Sequence, residues 1–486
     1  MSKLIDKYKK IPVQVKASLW FLICAFLQKG ISFITTPIFT RLLSTAEYGK
    51  YNVFNSWLHI LTVIVTLNLF YGVYTRGLVK YESERNEFSS SLQGLTLTLI
   101  VFWTIIYFAF RSFWNGIFNL TTVQMLLMLL IMWTSSVFTF WSTRERVDFK
   151  YRKLVIVTLI VSLAKPILGI ILVKTSDDKV TARILAIALV ELFVYSGFFI
   201  TQMRRGKRFF DKNYWLHAIS FNVPLIPHYL STVILSSADR IMIERMVGES
   251  EAGIYSLAYS ISMIMTMFNT ALMQTMEPWM FKKINDKKIE DIAKIAYPAF
   301  LIVAFVNIAL MALAPEAVAI FAPKTYYDAI YVIPPVAMSV FFMFSFTFFA
   351  VFEFYYKKTK LISIATSAGA FLNIILNYIF IKLYGYQAAG YTTLFCYIVY
   401  AVFHCAFMIK ICNSELNGAR PYSIKILLGI SIVFMGFGFL FLVTYGVPIV
   451  RYGIVAVIII LAIIFRRKIV STIKQLVSLR NAKNNA

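Results

Sequence analysis

Two lysines stand inside long apolar segments of the sequence. Lys29 lies well within the first such segment, and Lys165 lies in the middle of the fifth, directly before Pro166. An ionisable side chain in an apolar span is costly, and it is therefore a functional candidate by default. Ammonium groups at this depth would attract an anion as mobile point charges, which suits a ligand that must also leave. The structural alternatives are a neighbouring carboxylate for Lys29 and a water-filled vestibule for Lys165.

Polar residues accompany these lysines at helical spacing. Ser32 and Thr36 follow Lys29 on its own helical face. In the second apolar segment, Asn55 and His59 belong to a polar series that falls within an arc of about 80°. In a membrane such a face must contact other helices or line a cavity, so contact between helices remains the alternative.

The charged candidates of the later segments are fewer. In the seventh segment His228 and Asp239 share one side, and Arg240 follows directly, so that Asp239 and Arg240 point apart. These residues are predicted to line the same cavity, with a structural ion pair near the outer end as the alternative. Glu191 lies near the middle of the sixth segment. Glu191 and Asp239 are the candidates for ion coupling, and a buried lysine partner is the alternative for Glu191.

The composition indicates whether this chain folds in water or in a lipid bilayer. Of 486 residues 59% are hydrophobic and 15% charged, whereas average soluble domains carry about 25% charged residues. The mean hydropathy is +0.73. The net charge of +25 comes from lysines and arginines in short loops, which is the pattern of cytoplasmic loops and not of nucleic-acid binding. The sequence therefore predicts an all-α polytopic membrane protein.

About fourteen transmembrane helices are predicted, because a span needs about 20 mainly apolar residues. Basic loops then alternate regularly, which puts both termini in the cytoplasm. The predicted spans are 16–40, 52–74, 90–110, 121–141, 154–173, 183–202, 214–239, 252–276, 293–313, 328–355, 361–382, 388–410, 423–445 and 447–465.

An internal repeat divides the chain. The segment RLLSTAEYGKYNVFNS at 41–56 aligns without gaps with RMVGESEAGIYSLAYS at 245–260. The two segments are separated by six spans, which predicts parallel repeats about an axis near the membrane normal. The predicted domains are an N-terminal lobe of spans 1–6 (1–213), a C-terminal lobe of spans 7–12 (214–412), and spans 13 and 14 with a basic cytoplasmic tail (413–486).

Three segments carry a family resemblance. They are QKGISFITTPIFTRLLSTAEYGKYNVFNSW, SSADRIMIERMVGESEAGIYSLAYSI and KKTKLISIATSAGAFLNIILNYIFIKLYGYQAAGYTTL. In this order the chain resembles the O-antigen and capsule lipid-linked oligosaccharide flippases, a polysaccharide exporter family of the multidrug/oligosaccharidyl-lipid/polysaccharide exporter (MOP) superfamily. The family's Gly-x-x-Gly-Ala-Ala turn is altered here, at 385–390. The resemblance implies two six-helix lobes, related by a pseudo-two-fold axis, around a central cavity in the bacterial cytoplasmic membrane.

The resemblance also implies a polyprenyl-diphosphate-linked oligosaccharide as the substrate, flipped from the inner to the outer leaflet by ion-coupled alternating access. The expected partners are this lipid-linked oligosaccharide, membrane lipids and polysaccharide assembly proteins, with no nucleic acid. No cofactor, metal or catalytic residue is expected, since no HExxH, Walker A or C-x-x-C motif occurs. A multidrug or lipid II exporter is the alternative, although mid-membrane lysines favour an anionic ligand. A membrane polymerase or ligase is the alternative of another class, and short outer loops disfavour it.

Overall fold

The computed structural model describes residues 12–464 and Arg466. This part of the chain is helical and contains no β-strand. Its first helices are α1 Val13–Leu42, α2 Thr45–Val65, α3 Val73–Lys80, α4 Arg85–Ala109, α5 Arg111–Phe118, α6 Thr122–Val147, α7 Tyr151–Thr175, α8 Lys179–Gly206, α9 Lys212–Asn222 and α10 Ile226–Met246. The later helices are α11 Glu249–Ser262, α12 Met265–Asn285, α13 Ala293–Ala312, α14 Ala314–Phe321, α15 Ile333–Tyr355, α16 Thr359–Tyr384, α17 Ala388–Glu415, α18 Ile424–Thr444 and α19 Pro448–Ile464.

The prediction of a polytopic all-α membrane protein is confirmed. Twelve helical segments of the described residues are long and apolar enough to cross a membrane, and they coincide with twelve of the fourteen predicted spans. The two others correspond to α2, which carries the polar series of the second segment, and to α19, which is shorter. At about 1.5 Å per residue both still approach the thickness of the hydrocarbon layer.

The chain forms two compact units, one ending at Ser237 and the other beginning at Ala238. This division falls inside α10, whereas the predicted lobe boundary lies at 213/214. The lobes of six spans each and the pseudo-two-fold axis stay predictions. Of the predicted third segment, residues 467–486 lie outside the described residues.

The repeat places equivalent turns in the two halves of the sequence. Helix α1 ends at Leu42 and α10 ends at Met246, and these positions are paired by the alignment. Ser44 caps α2 by accepting a hydrogen bond from the Glu47 amide at 3.2 Å, and the Glu47 carboxylate accepts one from the Ser44 amide at 2.7 Å. Gly248 occupies the paired position as the N-cap of α11. The repeated sequence therefore encodes a repeated helix–turn–helix.

Helix α15 is the core of the second unit. The apolar segment of this helix is 83% buried, far more than the other spans. The Phe300 ring of α13 packs against Phe341, Phe344 and Phe348 at centroid distances of 5.8, 5.1 and 5.4 Å. In contrast, outward side chains such as Val443 (80% exposed) are apolar, as required of a surface in lipid. Core and surface side chains are both apolar here, so the buried fraction of a side chain, and not its hydrophobicity, distinguishes the core from the surface.

Membrane topology can be tested with reporter fusions. Reporters placed after Gly206 and Lys287 are expected to be cytoplasmic, and reporters after Asn119 and Gly385 external, because the basic loops lie inside. Alkaline phosphatase and fluorescent protein activities at the same four sites provide the measurement. A fusion of normal abundance that reports the opposite side would contradict the fourteen-span topology.

Candidate functional site

Helix α1 carries Lys29 on an exposed polar stripe. Lys29 and Ser32 are exposed, and Thr36 is half-buried. The hydroxyls of Ser32 and Thr36 donate to carbonyls of their own helix, those of Gln28 at 3.1 Å and Ser32 at 2.8 Å. No hydrogen bond or ion pair joins the Lys29 ammonium to another of the residues that the structure describes. This stripe therefore presents a cation without a counter-charge.

Helix α7 packs beside this part of α1. Gln28 Nε2 donates to Ser162 Oγ at 3.4 Å, so the segments that carry Lys29 and Lys165 are neighbours. Lys165 itself lies 2.6 Å from Glu191 Oε1 on α8, and its side chain is 28% exposed against 4% for Glu191. The Lys165 ammonium also lies 5.9 Å from the centre of the Tyr195 ring. The structure thus brings together two candidates that the sequence had placed on separate helices.

Both oxygens of Glu191 are satisfied. Oε1 accepts from Lys165, and Oε2 accepts from Thr134 at 2.6 Å and Ser135 at 2.9 Å. A buried carboxylate with a cation and two hydroxyls is a stable arrangement, whereas removal of the cation would leave a buried charge. The buried lysine partner proposed as the alternative for Glu191 is therefore present. The sequence had not indicated Thr134 and Ser135, although adjacent hydroxyl residues in an apolar span are the signal to look for.

A second polar cluster surrounds Asp239. We call it the Asp239 cluster, and its members are Asp239, Tyr255, Asn373, Asn377, Thr392 and Thr393. Asp239 is 1% exposed. Its Oδ2 accepts from the Tyr255 hydroxyl at 2.7 Å and the Thr393 hydroxyl at 2.9 Å. Its Oδ1 accepts from Asn377 Nδ2 at 2.6 Å. The three donors are uncharged, so the cluster holds a carboxylate through neutral hydrogen bonds.

The outer members extend this cluster across α16 and α17. Asn377 Nδ2 also donates to Asn373 Oδ1 at 3.2 Å, and the Thr392 hydroxyl donates to Asn377 Oδ1. The link between the asparagine pair and Asp239 was not predicted from the sequence. The signal was present in the spacing, because Asn373 and Asn377 are one turn apart on one face. The spacing of residues along one helix cannot identify their partner on another helix.

The remaining predicted residues lie on α2 and α10. Asn55 is half-buried and His59 exposed on α2, and His228 is half-buried on α10. The Arg240 guanidinium carbon lies 4.2 Å from the centre of the Tyr259 ring, a cation–π geometry. Within the described residues, no group of three or more His, Cys, Asp or Glu side chains could hold a metal ion.

The sequence model of the polysaccharide biosynthesis protein family matches residues 15–284, which is more than half of the chain. This chain belongs to that family. The MatE family model matches residues 224–379. The match to the polysaccharide biosynthesis family covers Lys29, Lys165, Glu191 and Asp239, so the candidate residues lie within the family's shared region.

One curated relative is Lsg locus protein 1 of Haemophilus influenzae. It is 23% identical over 261 residues, which make up 50% of this chain and 59% of the relative. The chain thus spans less than two thirds of the length of this curated relative. The family assignment rests on the family model, and the relative agrees with it.

Solved structures of low sequence identity share the fold. The lipid II flippase MurJ in an inward closed conformation has a TM-score of 0.66 at 16% identity, with 93% of this chain and 99% of that chain covered. An inward-facing multidrug resistance MATE family transporter of the MOP superfamily has a TM-score of 0.59 at 14% identity, covering 80% and 96%. A MOP superfamily transporter from Pyrococcus furiosus has 0.54 at 14%, covering 82% and 95%. This chain is therefore a multi-pass membrane protein with the MOP fold.

Proposed function

We propose that this protein is a flippase of the bacterial cytoplasmic membrane, with both termini in the cytoplasm. It moves a polyprenyl-diphosphate-linked oligosaccharide from the inner to the outer leaflet for surface polysaccharide synthesis, by ion-coupled alternating access. The observation that carries the proposal is the ammonium of Lys29, which is exposed midway along α1 and has no ion pair or hydrogen bond to another residue that the structure describes. At about 1.5 Å per residue it lies about 24 Å from the start of the helix.

A diphosphate headgroup explains such a lysine. Phosphate oxygens and an ammonium form charge-assisted hydrogen bonds, which are about twice as strong as neutral ones. The hydroxyls of Ser32 and Thr36 continue the polar stripe, and they can exchange their bonds to the helix backbone for bonds to the ligand or to water. The polyprenyl tail needs no such contacts, because it stays in the lipid.

The pair of Lys165 and Glu191 gives one route for ion coupling. While Glu191 is ionised, it holds Lys165 at 2.6 Å. A proton on Glu191 would remove the charge that holds the lysine, and the partly exposed ammonium could then bind phosphate. Binding of a proton to Glu191 and binding of substrate phosphate to Lys165 would thus be coupled through the Glu191 carboxylate.

Asp239 is the second candidate for coupling. Within the described residues, the hydrogen bonds to its carboxylate come from neutral donors, and burial of a net charge is costly unless a cation or proton neutralises it. The surrounding hydroxyl and amide oxygens suit a proton or a monovalent cation. Binding there would shift the conformational equilibrium of α10, α11, α16 and α17, the helices that supply these residues.

The comparisons support this choice of substrate class. The family takes its name from polysaccharide biosynthesis, and one structural neighbour is named a lipid II flippase. Another neighbour is named for multidrug resistance. A basic and otherwise unpaired Lys29 favours an anionic, lipid-linked ligand over a cationic drug. A polymerase or ligase would need a larger external domain than these loops provide.

Replacing Lys29 with glutamine is expected to reduce flipping about ten- to hundredfold, because hydrogen bonds to charged groups contribute about 1.5–3 kcal/mol. Lys29→Arg should keep part of the activity, since the charge survives in altered geometry. The measurement is the share of lipid-linked oligosaccharide trapped on the cytoplasmic leaflet of a deletion strain that expresses each variant.

Lys174→Gln is the matched control, because Lys174 is an exposed lysine at the end of α7. It should flip normally. Normal flipping by Lys29→Gln at normal abundance would refute the cationic site. The proposed substrate would be refuted if the deletion strain trapped no lipid-linked oligosaccharide. It would also be refuted if the protein restored transport of lipid II but not of the oligosaccharide.

A further inference from the structure

A histidine and a glutamate form a closed pair in the second unit, on α17 and α15. His404 Nδ1 lies 2.6 Å from Glu353 Oε1, and the two side chains are 1% and 0% exposed. The other polar atom of each, Glu353 Oε2 and His404 Nε2, has no hydrogen-bond partner among the described residues. Buried polar atoms are nearly always bonded, so two unpaired atoms in one pair call for an explanation.

The walls around the pair are aromatic. The Phe346 ring centroid lies 5.5 Å from that of the imidazole, and the Tyr400 ring centroid lies 6.2 Å from it. The Tyr400 hydroxyl does not serve the pair, because it donates to the Thr366 carbonyl at 2.8 Å. These rings give the pair surroundings of low polarity.

Ionisable groups of the neighbouring elements are engaged elsewhere. Lys358, beyond α15, lies 3.4 Å from Glu415. The Tyr422 hydroxyl donates to the Met408 sulfur at 2.7 Å. None of the titratable groups on the packed elements bonds to Glu353 or His404 within the described residues. The titratable groups on these elements include Glu277 of α12, Tyr297 of α13, Tyr400 and Cys405 of α17, Lys358 and Tyr422.

The charge state of this pair depends on its surroundings. With a neutral imidazole donating from Nδ1 to an ionised carboxylate, the net charge is −1. One proton taken from hydronium forms an O–H bond at Oε2 or an N–H bond at Nε2, and the net charge becomes zero. A low-polarity medium penalises the charged state, and contact with water removes that penalty.

We propose that Glu353 and His404 form a proton-binding site that is filled and emptied once in each transport cycle. The coupling to flipping rests on the proposed function, whereas the proton site itself does not. Glu353 lies two residues before the end of α15, where the loop with Lys357 and Lys358 is predicted to be cytoplasmic. The proton is thus released into cytoplasmic water after uptake from external water in the opposite half of the cycle, so that inward movement of a proton accompanies outward movement of substrate.

Infrared difference spectra of the purified full-length protein in nanodiscs, between mildly acidic and mildly alkaline buffer, test the site without substrate. The wild type should show a carboxyl or imidazole band that is lost in both Glu353→Gln and His404→Gln. The band should remain in Glu277→Gln, the matched control, because Glu277 is half-buried and has no hydrogen bond or ion pair within the described residues. Identical difference spectra in all four proteins would overturn the proton site, and thermal unfolding would confirm that the variants are folded.

Proteoliposomes test the coupling, with a fluorescent short-chain polyprenyl diphosphate that carries one N-acetylhexosamine as the probe. For one proton per cycle, a gradient of about one pH unit can drive about tenfold accumulation of the probe in one leaflet. Glu353→Gln should still equilibrate the probe between the leaflets but should not accumulate it, so the ratio of probe between the two leaflets should stay at about one. Full accumulation by Glu353→Gln would overturn the coupling. A wild-type protein that shows the infrared band but moves no probe would refute the proposed function and leave the proton site standing.

Discussion

Lys165→Gln is expected to lower the amount of folded protein in the membrane severely. In the wild type Lys165 neutralises Glu191, which is 3% exposed. Removing one partner of a buried ion pair costs about 3–5 kcal/mol, a large share of the about 5–15 kcal/mol by which a typical protein is stable. The measurements are abundance in membrane fractions and the midpoint of thermal unfolding in detergent.

The double variant Lys165→Gln/Glu191→Gln supplies the decisive comparison. It removes both charges and keeps hydrogen-bonding groups in place, and Thr134 and Ser135 can still donate to the new amide oxygen. We therefore expect abundance to recover, while flipping remains low if Lys165 also binds phosphate. A single variant with wild-type abundance would contradict the structural role, and a double variant with wild-type flipping would contradict the functional one.

Asp239→Asn is expected to reduce transport per folded molecule about 5–150-fold, which is the range of effects that typical coupling free energies produce. Asparagine has nearly the shape of aspartate but carries no charge, so the cluster loses its means of holding a proton or monovalent cation. Part of the effect falls on stability, because an amide cannot accept all three donated hydrogen bonds, and an unpaired buried donor costs about 1–3 kcal/mol. Transport must therefore be divided by the amount of folded protein.

Thr393→Val separates these two effects. It removes one donor to the Asp239 carboxylate, which lies 2.9 Å from the hydroxyl, and it leaves the charge in place. We expect a small loss of stability and a preserved response to ion gradients in this variant. Asp239→Asn with the same gradient response as the wild type would show that the carboxylate only stabilises the fold.

Much of the fold could be predicted because the bilayer constrains it. The positions of the spans followed from apolar length, and the turn between α18 and α19 lies where Tyr445, Gly446 and Pro448 indicated it. The paired ends of α1 and α10 followed from the repeat. Helix α2 was harder to recognise by hydropathy, since it devotes one face to Asn55, His59 and other polar groups.

The sites were only half predictable. Lys29, Lys165, Glu191 and Asp239 were singled out because charge in an apolar span is expensive. Their surroundings differ in three dimensions. Lys29 has no partner among the described residues, Lys165 and Glu191 bind each other, and Asp239 accepts hydrogen bonds from neutral donors. Glu353 was not among the candidates singled out from the sequence, yet it is fully buried beside His404.

The sequence by itself determined the membrane-spanning helical class, the order of the spans and the repeated turn, because these depend on hydrophobic length and on residues that are close along the chain. Only the tertiary structure decided which charge meets which partner. Glu191 is 26 residues from Lys165, and Asn377 is 138 from Asp239. A helix has neighbours on all sides, and periodicity gives the face of a side chain but not the helix opposite. The identity of the opposite helix determines whether a buried charge is neutralised. It therefore determines whether that charge stabilises the fold or is available to a ligand.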